Sequence, residues 1–399
     1  MGGFVYGDVV PWTVPPDWSQ PVRETLSWLT DYMSARNGAR QKRQLRRAPR
    51  RTFQFQVLAS DAEHRLLDAL RFDQGSRPWA LPIWPDGQFL VTTTAPGSLS
   101  TTCATSGRDF VAGGRALFWR SIDSWEVVTI AGVGSDKLTF TSPTLDTWGP
   151  GCRLYPLRTA RIPAAIDATY RTDAATRMTV TMQVDEPCDW PAVAPSAMYR
   201  GMPVLESRHD ETEDPTGRFD RSIQQVDAQT GTVAYIDLPG RAFRLQSHNW
   251  KLHGRTEHSD FRSLMYWLRG RMGTLWVPSF AADLLLASGA AAGDNQLNVE
   301  WSGYAVFGRQ QSNRRDIRIE LLDGTVLYRR ITASIEAGTT EILTLDSPLG
   351  LSVQRRMVRA INFMTLAEQA ADTVALEHIT GIEGVAHATT QWAGIRHDL

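Results

Sequence analysis

The 399-residue sequence predicts an α+β, mainly β, protein: two related β-rich modules, each with one packed helix and an inserted small β-barrel-like subdomain. Three observations predict this. An apolar repeat of helical period, a glycine stop, a proline-aromatic strand and an apolar triplet occur twice in the same order. A set of short strands separated by turn residues follows each copy. The length exceeds one ordinary core and suits two domains.

The clearer copy runs from Phe261 to Leu286. Phe261, Leu264, Met265 and Leu268 stand at i, i+3, i+4 and i+7, which puts them on one face of a helix. Gly270 to Gly273 end it, because glycine takes the positive φ of a helix C-cap without a steric cost. An extended segment from Leu275 to Phe280 follows, then a second apolar run, Leu284 to Leu286. The earlier copy, Glu63 to Val91, has a helix starting at Asp61 with Leu66, Leu67 and Leu70 on its face, then Trp79 to Trp84 and Phe89 to Val91. In register, Leu66 answers to Leu264, Gly75 to Gly273, Pro82 to Pro278, Trp84 to Phe280, and Phe89-Leu90-Val91 to Leu284 to Leu286.

The inserts follow. In the first, Ala116 to Trp119 and Trp125 to Ile130 flank a hairpin turn, and Lys137 to Thr141 is a further strand closed by Ser142-Pro143. In the second, Ile317 to Leu322 and Thr325 to Ile331 flank Asp323-Gly324, a pair that favours a primed turn. Ile342 to Leu349 then parallels Lys137 to Thr144. Return strands are expected at Cys152 to Ile162 and Val353 to Leu366, with last strands near Met178 to Val184 and Val374 to His378. Glu24 to Met33 reads as helix turn or strand. The organisation is therefore an extended arm over 1–22, a first module over 23–188 with its insert at about 100–150, a linker over 189–219, and a second module over 220–399 with its insert at about 290–350.

Composition narrows the function classes. A formal charge of -1 gives no overall field for nucleic acid or an anionic membrane. The longest nearly apolar run, Phe280 to Gly293, is broken by Asp283 and is too short to span a bilayer. The first residues lack the basic start and apolar core of a secretory signal, so synthesis and retention in the cytoplasm are expected. Cys103, Cys152 and Cys188 are odd in number with no C-x-x-C spacing, which reads as free thiols; a metal or cluster would need a fourth ligand. The 14 tryptophans, many beside proline or glycine, suggest β-corners and contacts between subunits.

Two charged stretches invite a functional reading. Arg36, Arg40, Lys42, Arg43, Arg46, Arg47, Arg50 and Arg51 could neutralise phosphates, but no aromatics interleave with them, and a solvated or partner-facing strand edge is the reading adopted. Glu206, Asp210, Glu211, Glu213 and Asp214 surround His209 without the spacing of a calcium loop, and read as a solvated loop or one facing that basic run. His248, His253 and His258, at steps of five, would alternate faces of a strand and form no ligand set. No nucleophile elbow, phosphate loop, zinc helix or dinucleotide fingerprint occurs. No catalytic, cofactor-binding or metal-binding residue is nominated.

The order of features resembles the distal tail and baseplate-hub proteins of long-tailed bacteriophages, most clearly in Arg269 to Leu286 and Ile317 to Pro348. The helix ending Arg-x-Gly stands at Arg271 to Gly273 and is missing from the first copy. The resemblance implies a structural virion protein at the tail tip or baseplate, assembled in the host cytoplasm, with no catalysis and no cofactor. Its implied partners are itself in a ring, trimer or hexamer, the tail tube, and hub or fibre proteins, with no membrane and no sequence-specific nucleic acid. Two related modules in one chain would let a threefold ring match a sixfold tube. Some hub proteins of this class hold an iron-sulfur cluster through four cysteines; this chain has three. The rival expectation is a carbohydrate-binding or carbohydrate-cleaving tail protein that meets the host surface.

Overall fold

The computed structural model describes residues 9–74, 77–309 and 311–396. The first half opens with β1 (Val10–Pro11), β2 (Val22–Ser27) and a hairpin of β3 (Thr30–Ser34) and β4 (Arg40–Gln44). β5 (Arg50–Ser60) buries every second residue, Arg51, Phe53, Phe55, Val57 and Ala59, as a strand with one face on a core must. The chain enters α1 (Asp61–Gln74) through Asp61 at φ 47° and continues into β6 (Trp79–Pro82) and β7 (Gln88–Phe89). The insert holds β8 (Ser100–Thr102), β9 (Arg115–Ser121), β10 (Ser124–Val133) and β11 (Lys137–Phe140). β12 (Arg153–Arg161), β13 (Ala168–Tyr170) and β14 (Ala175–Val184) complete the half.

A small hairpin, β15 (Met198–Tyr199) and β16 (Met202–Pro203), lies in the stretch read as a linker, where Tyr199, Val204 and Leu205 are buried. The second half has β17 (Gly217–Asp220), the hairpin β18 (Ile223–Val226) and β19 (Ala234–Asp237), and β20 (Phe243–Leu252). α2 (Gly254–Leu268) buries Phe261, Leu264, Met265 and Leu268, the face the periodicity names. The helix ends on Arg269 in the left-handed region, followed by Gly270 at φ 68°. β21 (Thr274–Pro278) comes next, then an insert of β22 (Gln296–Glu300), β23 (Asp316–Leu321), β24 (Val326–Ala337) and β25 (Thr340–Leu345). β26 (Val358–Gln369), β27 (Thr373–His378) and β28 (Ala386–Gly394) close the chain.

The two halves have the same order of strand pairing. The first runs β2–β5–β14–β12–β6 and the second β17–β20–β28–β26–β21, every neighbour antiparallel. The inserts run β8–β11–β10–β9–β12 and β22–β25–β24–β23–β26. β10 has a register shift between Ile130 and Gly132, and β24 has one between Ile331 and Ala333. Even the segments before each half agree: Val10 pairs in parallel with Trp79, and Val204 with Trp276. Ile83 donates its amide to Pro156 O and Ser279 donates to Phe363 O, so Pro82 and Pro278, and Trp84 and Phe280, hold matching places.

Other sequence registers move. Gln88 lies opposite Leu154 and Leu284 opposite Ile361, so Leu90 answers to Leu286, one residue away from the triplet alignment. Burial follows the paired register: Leu90 and Leu286 are buried, Phe89 and Leu285 exposed. Along the helices, His64 stacks edge-on to Tyr170 as His258 tilts on His378, which sets Leu67 in the place of Phe261 and Leu66 outside it. Gly75 lies outside the described residues. Glu24 to Met33 is strand, split between β2 and β3. The structure also supplies a strand absent from the sequence reading: the counterpart of β14 is β28, while Val374 to His378 is the counterpart of the short β13. β28 hides because its inward face is Ala386, Ala388, Thr390 and Trp392, too small and polar for an apolar alternation to stand out.

The inserts are not closed barrels. Among the described residues β8 pairs as a strand with β11 alone, whereas β22 pairs with β25 and also meets Leu286 through an isolated bridge at Val299, so no continuous strand ladder closes either insert. At the register shift the bent strand leaves one sheet and joins another, and the two sheets fold over a core. Phe118, Leu138, Phe140 and Trp148 fill the first of these cores, and Leu297, Ile319, Leu343 and Phe363 the second. No helix of the described residues is long and apolar enough to cross a membrane.

Candidate assembly interface

β2 joins the halves. One edge pairs with β5 of its own half, and the other pairs with β27 of the second half, from Val22 opposite His378 to Ser27 opposite Thr373. Its inward side chain Leu26, and Trp28 just beyond, are buried in the core of the second half. The β3–β4 hairpin seats on the same side. Arg40 and Lys42 each place a nitrogen 2.8 Å from Glu368, and Lys42 Nζ donates to Arg271 O at 2.8 Å. The Thr30 amide and hydroxyl both donate to the Asp372 carboxylate.

Half of the basic run is therefore a structural element of the fold: Arg40 and Lys42 hold the junction, Arg46 donates to Ser27 O, and Arg51 is buried. Arg36, Arg43, Arg47 and Arg50 remain exposed, as a solvated edge would. The run does not face the acidic stretch around His209. Glu206 instead accepts from Arg318 and from the Tyr328 hydroxyl, and Arg208 reaches Glu320 at 2.5 Å.

Beneath β2 lies a buried network of charge. Glu24 accepts from Arg51 Nε at 2.5 Å on one oxygen and from Arg262 Nη2 at 3.0 Å on the other, and His378 Nε2 stands 2.9 Å from that second oxygen, Oε2. Asp86 pairs with Arg255 and Arg262, and Asp109 with Arg51 and Arg158. Glu24, Arg51, Asp86, Asp109 and Arg158 come from the first half; Arg255, Arg262 and His378 come from the second. Burial alone would raise the Glu24 carboxyl, but Arg262 and Arg51 hold it well below the usual carboxylate range. Asp86 is lowered against burial by Arg262 and Arg255. Burial, with Arg262 and His378 adding to it, pushes His258 well below the ordinary imidazole value. Burial also lowers His378, against the pull of Glu24.

Glu24, His258 and His378 could each offer one ligand atom, all within 4.8 Å of one another. The Glu24 carboxylate is already engaged by two guanidinium groups, and a dication there would stand beside Arg262 and Arg51. The donor set does not fit a metal, and the geometry is that of an ion-pair lock. The three histidines of the five-residue series are spread over β20, the loop before α2 and α2 itself. Cys103 and Cys152 share the first insert's core, whereas Cys188 is in a different one; all three are free and buried. Burial pushes the Cys103 thiol up to about 11.

A cleft of about 960 Å³ lies between the 193–211 stretch and α2. Several of its polar groups are occupied locally: Glu257 accepts the His253 amide, Asp210 the Thr212 amide, and Glu206 and Arg208 the partners given above; the buried His209 Nδ1 has no such partner. Its aromatic lining, Trp250 and Phe261, is buried and offers no exposed platform.

Sequence reasoning missed the lock because its partners lie far apart along the chain and no local motif links them. One signal was present: Glu24 falls between Val22 and Leu26, and Arg51 in the buried phase of Phe53, Phe55 and Val57, so each charge points inward with the apolar residues.

No protein-family model matches the chain, and no curated protein matches it.

Proposed function

We propose that the chain is a structural component of a bacteriophage tail tip or baseplate, a doubled module that assembles symmetrically with copies of itself and links the tail tube to the hub or fibres. The observation that carries this reading is the asymmetry between two halves of one topology. β2 and one face of its hairpin are covered by the second half, while their counterparts β17 and β18–β19 are exposed at nearly every residue. A folded chain that leaves Phe219, Ile223, Tyr235 and Leu238 exposed on one projecting element is suited to being held by a neighbour.

The test is mass photometry and negative-stain microscopy of the purified chain. A ring of three or six copies is expected, with antibody label at the tail tip of intact particles. A chain that stays monomeric at micromolar concentration overturns the reading.

A second reading, a glycan-binding tail protein, has one observation in its favour. Trp301 and Phe307 are exposed near each other on the second insert, and Trp301 Nε1 donates to Glu336. A glycan array with Trp301→Ala as control decides it.

A further inference from the structure

We propose that β17 and the β18–β19 hairpin of one copy dock on β13 and α1 of a second copy, reproducing between chains the junction that β2 and β3–β4 make within one. This rests on the self-assembly reading above and names the surface that would perform it.

The argument is one of position. Through the strand registers, β17 occupies the place of β2: Arg161 opposite Gln183 corresponds to Glu368 opposite Ala393, and Thr52 and Leu245 face those partners in turn. Thr25 opposite Thr52 and Arg218 opposite Leu245 then fix Leu26 and Phe219 as counterparts. In the same way β13 occupies the place of β27, with Tyr170 opposite Thr176 as His378 is opposite Ala386. Within the chain the outer edges of β2 and β27 are joined to each other. Among the described residues the outer edges of β17 and β13 have no strand partner.

The exposed side chains fall where this predicts. Leu26 is fully buried, whereas Phe219 is 63% exposed; His378 is buried, whereas Tyr170 is 61% exposed. Phe72 on α1 is 86% exposed, while Tyr266, at the matching position of α2, is buried edge-on against Trp28 of the first half. An unpaired strand edge is itself a template for another strand.

Transferring the β2–β27 register sets Gly217 opposite Ala168, Arg218 opposite Asp167 and Phe219 opposite Ile166. A cation meets an anion and an aromatic meets an aliphatic side chain, both favourable cross-strand pairs. The hairpins differ in charge: the basic hairpin within the chain seats on Glu368, whereas the first half has Arg161 at that position, paired with Asp185, and the counterpart hairpin has Asp237 paired with Arg221. Gly217 stands in the place of Glu24, so the junction between chains lacks the buried lock and depends on apolar contact and edge pairing. Such an interface is heterologous, so it closes into a ring or propagates as a filament.

The test is a pair of cysteines, Arg218→Cys with Asp167→Cys, whose Cβ atoms would lie within disulfide reach across an antiparallel pair. Oxidation should give a ladder of covalent oligomers that neither single variant gives. In parallel, Arg218→Asp should weaken association by roughly tenfold, and adding Asp167→Arg should restore it. Rings that persist with no pair-specific ladder and no response to Arg218→Asp overturn this interface and leave self-assembly standing. A monomeric wild-type chain overturns both.

Discussion

The β3–β4 and β18–β19 hairpins occupy the same place in two halves of one topology, yet one is anchored by ion pairs and the other projects with Ile223, Val226, Tyr235 and Ile236 exposed. What separates them is the presence of a following module. The first half has one to close its edge, and the second half has none among the described residues. Two halves with one order of strand pairing thus meet at one junction, and the outer edges of β17 and β13 have no strand partner among the described residues.

The largest effect expected on the covered side is at Glu24. Glu24→Ala leaves Arg51 and Arg262 buried without their shared carboxylate, which costs on the order of 3–5 kcal/mol. Urea denaturation should show this loss as a lower midpoint. A midpoint equal to that of the wild type would mean that the lock does not hold the halves together.

Acid should open the same junction. Buried neutral His258 has a folded value below its ordinary 6.5, so the unfolded chain binds the proton first and stability falls as pH drops through about 6.5. Glu24 is likewise depressed below its ordinary 4.5, so its contribution is complete above that value and is lost as pH falls further. Thermal denaturation between pH 8 and pH 4 should therefore show a first decline that His258→Gln reduces, the remainder coming from His378 and His248, which burial also lowers, and a second decline that is unchanged. A single step beginning below pH 5 in both proteins would contradict the histidine assignment.

Glu368→Gln sharpens the comparison at the hairpin. It removes the charge that Arg40 and Lys42 share, and a loss of roughly 1–3 kcal/mol is expected. Hydrogen exchange should rise in 30–44 and change much less in 223–237, whose link to the first hairpin is the exposed Arg36–Gln224 hydrogen bond. Protection that falls equally in both hairpins would show that they are not in different states.

Much of this architecture was legible in local sequence, and the junction was not. The α2 face, the glycine-rich stop, the Pro82 and Pro278 strands and the Asp323-Gly324 turn each depend on neighbours a few residues away. β28 was lost because alanine and threonine face inward, and the triplet register slipped by one because exposed Phe89 and Leu285 are as apolar as their buried neighbours. The run from Arg36 to Arg51 was read as an edge because charge ordinarily marks solvent; here a second half more than three hundred residues along supplies Glu368. Long-range ion pairing has no period, so no window of sequence contains it.

The smallest effect expected in the isolated chain is the one that separates the two edges most cleanly. Leu26→Ala empties a fully buried site between the halves and should destabilise by about 2–5 kcal/mol. Phe219→Ala, at the matching position of β17, removes a larger side chain from solvent and should change the stability of the dilute monomer by no more than about 0.5 kcal/mol. At concentrations where the wild type assembles, the order should reverse in its consequence: Phe219→Ala folds normally and fails to associate. If it assembles as the wild type does, the exposed aromatic has no counterpart on a neighbouring chain, and the two edges differ for a reason other than the missing successor.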